Sequence, residues 1–188
     1  MRVIAGEFRG RKLAALKGTV TRPTADRVKE AIFSMVQEEL PGSVCLDLFA
    51  GTGALGIEAL SRGATRVIFC DKEGTSLATL QQNLNVCRLG GDRVVIMKSD
   101  WQKACKIIKE KCNLVFIDAP YDMCVYYSQI IEILAAQKIL DDNALVVIER
   151  DFACGRYELP EGFSMLREKR YGSVGIDVIL YNRPETDL

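Results

Sequence analysis

Histidine is absent from all 188 residues, which removes both the commonest general base and the commonest metal ligand. Whatever chemistry the chain performs must run on other groups. Seven cysteines are present (Cys45, Cys70, Cys87, Cys105, Cys112, Cys124 and Cys154), but no C-x-x-C pair. Their odd number and wide spacing oppose a disulfide framework and a zinc site, so no metal is expected and the thiols read as core fillers of a reducing, cytoplasmic protein. No apolar run reaches the ~18 residues of a membrane span. The opening MRVIAGEFRGRKL has basic residues but no uninterrupted apolar stretch behind them, which is not the pattern of a secretory signal. Internal repeats and low-complexity tracts are missing too, and nothing marks an extended dimer face, so a monomer is expected.

Net charge is also missing: 25 basic residues balance 25 acidic ones. The balance is uneven along the chain. Residues 1–25 carry Arg2, Arg9, Arg11, Lys12, Lys17 and Arg22 against Glu7 alone, a local excess of +5, so the rest of the chain sums to −5. This is the footprint of a basic arm beside a more acidic body. Hydrophobic residues at 48% suffice for one continuous core, and charged residues at 27% suffice to cover it.

Val3-Ile4-Ala5 and Arg11-Lys12-Leu13 flank a glycine-bounded turn and predict a β-hairpin. Residues 18–23 read as a linker. Thr24 stands where an N-cap belongs, with Asp26 in the first turn, and Val28, Ala31, Ile32, Met35 and Val36 follow at helical spacing until Pro41-Gly42. Strands and helices then alternate. Strands are predicted at 44–49, 66–71, 94–99, 114–118 and 144–149, helices at 54–62, 76–89, 101–111 and 126–137. A final antiparallel pair, 165–171 and 175–181, turns at Gly172-Ser173. Continuous apolar strands alternating with helices predict an α/β fold, a mostly parallel sheet covered on both faces. Ligands of such sheets sit at the carboxyl ends of the strands, near the switch in strand order. At those ends stand Asp47–Gly53, Asp71, Asp100 and Asp118–Tyr121.

Within DLFAGTGALGIE, Gly51-Thr52-Gly53-Ala54-Leu55-Gly56 is a literal G-x-G-x-x-G. A glycine turn between strand and helix lets backbone N–H groups approach a ligand closely. Asp71 follows at the end of the second strand, where its carboxylate can accept both hydroxyl hydrogens of a ribose. NAD and S-adenosylmethionine satisfy this much equally. Three features favour the latter. Asp47 would repel a diphosphate but suits ammonium and sulfonium charges. Asp100 is placed to accept from an adenine amino group. And some 45 residues precede the loop, whereas a nicotinamide domain commonly opens with it.

Asp118-Ala119-Pro120-Tyr121 ends the fourth strand. An exocyclic amine of a nucleobase is planar and a poor nucleophile, because its lone pair is delocalised into the ring. A carboxylate (Asp118) and a carbonyl (Ala119) accepting its two hydrogens would localise that pair for in-line attack on a methyl group. Tyr121 offers a flat face for an extruded base. C5-methylation of a pyrimidine would need an activated cysteine, and Cys124 has no basic partner beside it in sequence, so it reads as a packing or loop residue.

MRVIAGEFRGRKL, RPTADRVKEAIFSM, LDLFAGTGALGIEALSRGA, the DAPY tetrapeptide and KRYGSVGIDVILY together resemble the RsmD-type family of class I methyltransferases over nearly the whole chain. That resemblance implies a Rossmann-like, seven-stranded sheet preceded by a small N-terminal β-hairpin, divided as a basic arm over residues 1–22 and a methyltransferase domain over 23–188. It implies methyl transfer from S-adenosylmethionine, leaving S-adenosylhomocysteine, to the exocyclic N2 amine of a guanine in small-subunit (16S) ribosomal RNA, free or in an assembling subunit. Carried over by position, Thr24, Asp47, Phe49, Gly51, Gly53, Asp71, Lys72 and Asp100 would bind the cofactor. Asp118, Ala119, Pro120 and Tyr121 would handle the guanine, and Arg2, Arg9, Arg11, Lys12 and Arg22 would meet RNA phosphates. Phe8, at the hairpin turn, is placed either to stack on a base or to fold back on the core. Ala119 stands where the family commonly has proline, which keeps the carbonyl acceptor and gives up a fixed φ. An adenine-N6 methyltransferase and a nicotinamide oxidoreductase are the rival readings.

Overall fold

The computed structural model describes residues 1–16 and 23–183, with the side chains of residues 23–25, 121 and 122 outside that description. The expected segment 18–23 and Arg22 therefore lie almost wholly outside the described residues. Seven strands form one sheet: β1 (Val44–Asp47), β2 (Arg66–Asp71), β3 (Val94–Lys98), β4 (Cys112–Asp118), β5 (Leu140–Asp151), β6 (Phe163–Tyr171) and β7 (Val174–Tyr181). Their order is β3-β2-β1-β4-β5-β7-β6, with β1 to β5 parallel and β7 antiparallel to both its neighbours.

Alternation along the central strands feeds two separate layers of core. Leu114 and Phe116 of β4 pack with Ile32, Phe33 and Leu80 beneath α1 (Pro23–Met35), α2 (Ala54–Ser61) and α3 (Gly74–Cys87). Val115 and Ile117 point the other way, to Trp101, Ile130 and Ile131 of α4 (Trp101–Ile107) and α5 (Tyr127–Ala136). Burial on both faces is why these strands read as unbroken apolar runs. Among the described residues no helix is long and apolar enough to cross a membrane.

Two expectations need correction, and a third is met only in part. Helix α1 begins at Pro23, so Thr24 falls inside its first turn instead of capping it; proline's preset φ and missing N–H suit the first helical position. Strand β5 starts at Leu140, not at 144, because Leu140 pairs with Cys112 across an irregularity that absorbs Asp141–Asn143. The third concerns the predicted N-terminal hairpin, which forms no regular strand pair but keeps one antiparallel bridge, Arg2 with Lys12. Around that bridge Val3 donates to the Arg11 carbonyl at 3.0 Å, Gly10 to the Val3 carbonyl at 2.9 Å and Leu13 to the Met1 carbonyl at 3.1 Å. The amides between go to α2: Ile4 and Ala5 donate to the two carboxylate oxygens of Glu58 at 2.8 and 3.0 Å, Phe8 donates to Ser61 Oγ at 2.9 Å, and Glu7 to the Ser61 carbonyl at 2.7 Å. The loop thus pairs with itself at its base and is stapled to α2 at its turn. Val3, Phe8 and Leu13 are buried in the first core layer, so Phe8 folds back on the body.

Candidate functional site

The strand order reverses between β1 and its neighbours β2 and β4, and a cavity of about 610 Å³ opens there, at the carboxyl ends of the strands. That volume lies within the range of roughly 300–1,000 Å³ typical of small-molecule sites. Its wall includes Asp47, Phe49, Gly51, Asp71, Lys72, Asp100, Asp118, Ala119 and Pro120, nine positions drawn from four strand ends.

The glycine loop is held from outside. Asp71 Oδ2 accepts the Gly51 N–H at 2.8 Å and Oδ1 accepts the Glu73 N–H at 2.8 Å. Each oxygen keeps a lone-pair direction for a further donor. Gly51 (φ 51°) has no atom closer than 4.0 Å to where a Cβ would stand, so its backbone faces open space. Gly53 (φ 79°) is different: a Cβ there would lie 2.2 Å from Leu80 Cδ1. It does not line the cavity but sits behind the wall, where its lack of a side chain lets α3 close on the loop. The two glycines of one motif therefore do separate jobs.

Asp47 is only 1% exposed, and its Oδ2 accepts the Gly56 N–H at 3.0 Å, near the start of α2. Burial pushes its carboxyl up to about 7, and the charges of Asp118 and Asp71 add to the rise. A carboxylate in this state favours a cationic ligand, which would restore its charge. Asp100 caps α4, accepting the Lys103 N–H at 2.9 Å. That amide first, then the Lys103 ammonium at 3.3 Å, holds its carboxyl below the usual value.

Asp118 is exposed to the cleft at the end of β4, while Ala119 behind it is buried. It lies in register with Glu149 on β5, and neighbouring residues of a parallel pair share a face. Desolvation raises both carboxyls, and Asp118's charge raises Glu149 further. Glu149 was not singled out from sequence, although it ends an apolar strand just as Asp47, Asp71 and Asp118 do. Trp101, Met123 and Leu16 also line the cavity without any sequence signal, because each arrives from a separate element. The Tyr121 and Thr24 side chains fall outside the described residues; the Tyr121 backbone opens a 3-10 turn, Tyr121–Tyr126.

The expected phosphate contacts are spread out. Met1 and Leu16, at the two ends of the N-terminal loop, reach the cavity, with Arg2 beside Asp26 at 3.8 Å. The loop's turn runs toward the far end of α2, where Ser61 holds it. Arg11 donates to the Val86 carbonyl and lies over the Phe8 ring, 5.5 Å from its centroid. Arg9 and Lys12 are exposed.

Comparison with known proteins agrees with this arrangement. A family model described as Conserved hypothetical protein 95 matches residues 1–180. The chain is 35% identical over 179 residues to the ribosomal RNA small subunit methyltransferase D of Haemophilus influenzae, covering 93% of this chain and 90% of that one. It is 34% identical over 177 residues to the protein of the same name from Escherichia coli K12, at 93% and 86% coverage. The solved structure of yhhF from Escherichia coli superposes with a TM-score of 0.88 at 32% identity, covering 98% of this chain and 99% of that one. The chain belongs to the RsmD-type methyltransferase family.

Proposed function

We propose that this protein transfers a methyl group from S-adenosylmethionine to the exocyclic N2 amine of a guanine in small-subunit ribosomal RNA. The observation that carries the reading is one continuous cavity holding both the Gly51–Asp71 clasp and the cleft-exposed carboxylate of Asp118. Names of the relatives, ribosomal RNA small subunit methyltransferase D, support the substrate class.

The donor set fits this cofactor. Asp47, Asp71 and Asp100 crowd one wall with negative charge, which opposes a diphosphate and suits a ligand with cationic groups and ribose hydroxyls. When bound, S-adenosylmethionine supplies a methyl group on a positively charged sulfur. Asp71 would accept from the ribose, Asp100 from the adenine amine, and Asp47 would offset the positive end. Phe49, Lys72 and Gly51 border this half of the site, and Thr24 is assigned to it by the family resemblance alone.

On the substrate side, Asp118 accepts one hydrogen of the guanine amine and the Ala119 carbonyl the other. That geometry localises the nitrogen lone pair toward the donor half of the cavity. Once alkylated, the nitrogen must shed a proton, and Asp118, its affinity for protons raised by desolvation, is the nearest acceptor. Pro120 ends the strand and directs the chain into the turn that presents Tyr121, whose ring stacks on the extruded base. Residues 1–22 serve as the RNA-holding arm, with Arg2, Arg9, Arg11, Lys12 and Arg22 on phosphates. Residues 23–188 carry out the transfer, as a cytoplasmic monomer. The test is incubation with labelled S-adenosylmethionine and small-subunit RNA or subunits, followed by nucleoside analysis. N2-methylguanosine is the expected product; label in methyladenosine, or in DNA alone, would overturn the assignment.

A further inference from the structure

Arg9 at the turn of the N-terminal loop, held at Ser61, and Arg11 on the Val86 carbonyl lead elsewhere than the cavity, yet a second basic cluster lies on the same sheet edge as Asp118. Asp118 is in register with Glu149 on β5, Glu149 with Ile176 on β7, and Ile176 with Lys169 on β6. Arg170, one residue further toward that edge, is therefore three strands from Asp118, roughly 14 Å at the usual strand spacing. RNA covers such a distance in about four nucleotides at duplex rise.

The cluster is built around Phe152. This residue opens the 3-10 turn Phe152–Cys154 after β5, and its N–H donates to the Ser173 carbonyl at 2.7 Å, tying it to the β6–β7 turn. The Arg170 guanidinium lies over the Phe152 ring, 4.3 Å from its centroid, and Arg150 lies 5.2 Å from it. Arg170 Nε donates to the Gly172 carbonyl at 2.7 Å. Ring and carbonyl hold the Arg170 guanidinium in place, and its planar fork of donors suits phosphate. Arg156, with a side chain 89% exposed, stands on the same rim.

The neighbouring acids are already engaged. Asp177 accepts from Arg150 Nε at 2.6 Å, Glu168 accepts from Arg150 at 2.8 Å, and Asp151 caps the turn through the Ala153 N–H at 2.9 Å. Gly175 makes room for this buried arginine, since a Cβ there would lie 3.2 Å from the Arg150 guanidinium carbon. Arg150, Phe152, Arg156, Glu168 and Arg170 border a cavity of about 410 Å³. The turn at Phe152–Cys154 lies against the turn Tyr121–Tyr126, which begins at the last DAPY residue, so the basic rim adjoins the substrate end of the site.

We propose that Arg170, organised on Phe152, and Arg156 on the same rim bind RNA phosphates a few nucleotides from the target base. This proposal rests on the reading of the protein as an RNA methyltransferase. Its test is the salt dependence of binding to small-subunit RNA for the intact wild type and the double variant Arg156→Gln/Arg170→Gln. Losing two phosphate contacts should lower the slope of log affinity against log salt by about 1.4 and weaken binding about 25-fold at 0.1 M salt. Affinity for S-adenosylhomocysteine and Tm should not change. Lys106→Gln/Lys109→Gln, the same charge change in the last turn of α4 and just past it, ahead of the amino end of β4, should leave binding intact. If the double variant binds like wild type, or the control weakens binding equally, the patch is overturned while the methyltransferase reading stands. If wild type binds no ribosomal RNA, both fall.

Discussion

Asp118 illustrates how a residue's environment sets its chemistry. It faces the cleft beside Glu149, and desolvation there lifts its carboxyl above the ordinary range, while its own charge raises Glu149 in turn. The deprotonated form is the stronger acceptor for the amine hydrogen and the only one that can take up the proton the alkylated nitrogen sheds. Methyl transfer should therefore fail as pH falls through a range higher than that of a free aspartate, and recover as pH rises. Single-turnover rates from pH 5 to 8 at saturating cofactor would show it; a flat profile would remove Asp118 from the reaction. Asp118→Ala should cut the rate at least ~100-fold with affinity for S-adenosylhomocysteine within about twofold, a loss confined to the transition state. Ala119 belongs to the same argument. Proline's fixed φ is absent there, but Pro120 restricts the preceding residue to extended conformations, so Ala119 remains constrained from its other side.

At the scale of elements, α2 does more than cover the sheet. Its Glu58 is fully buried and meets Lys29 Nζ at 3.0 Å, Arg62 Nε at 2.9 Å and the amides of Ile4 and Ala5. Burial alone would push this carboxyl up, but Lys29 first, then the Ile4 amide and Arg62, hold it below its ordinary value. One side chain thus locks the N-terminal loop, α1 and α2 together. Glu58→Ala strands the buried Lys29 ammonium and two amides, and should cost about 3–5 kcal/mol. Urea unfolding would measure the cost, and limited proteolysis should cut within residues 1–16 well before wild type is cut. The sign of the linkage follows from the lowered carboxyl: Glu58's contribution is present above the ordinary glutamate range and is lost as pH falls through its depressed value. A variant that unfolds like wild type would show the staple to be dispensable.

At the scale of the whole molecule, the site weakens the fold it stands on. Asp47 is buried at the end of β1 with its carboxyl pushed up to about 7. At low pH it is protonated whether folded or unfolded and costs nothing. From the ordinary aspartate range up to about 7 the unfolded chain releases the proton and the folded chain keeps it, so stability declines with rising pH and the full cost is present above that point. Asp47→Asn, which can still accept the Gly56 N–H, should raise the Tm of the free protein at pH 8, by about 2–4 °C for each kcal/mol relieved in a chain of this size, and change it little at pH 4. Equal shifts at both pH values would place the cost elsewhere.

What the sequence determined by itself was local. The apolar runs separated by glycines set which segments became strands, and β2 begins and ends where its residues predict. The spacing of Gly51, Asp71 and Asp118 named strand ends correctly because a parallel sheet puts every such end on one edge. The expected β-hairpin is met only in part, for the complementary reason. Its base pairs antiparallel, but Glu58 and Ser61, more than fifty residues away, take the amides of Ile4, Ala5 and Phe8. Glu149 beside Asp118, Leu80 against Gly53, and Arg170 on Phe152 are likewise contacts across distant elements. Periodicity and spacing carry no record of such pairs; only strand order and helix packing bring them together, and those depend on burying the whole chain at once.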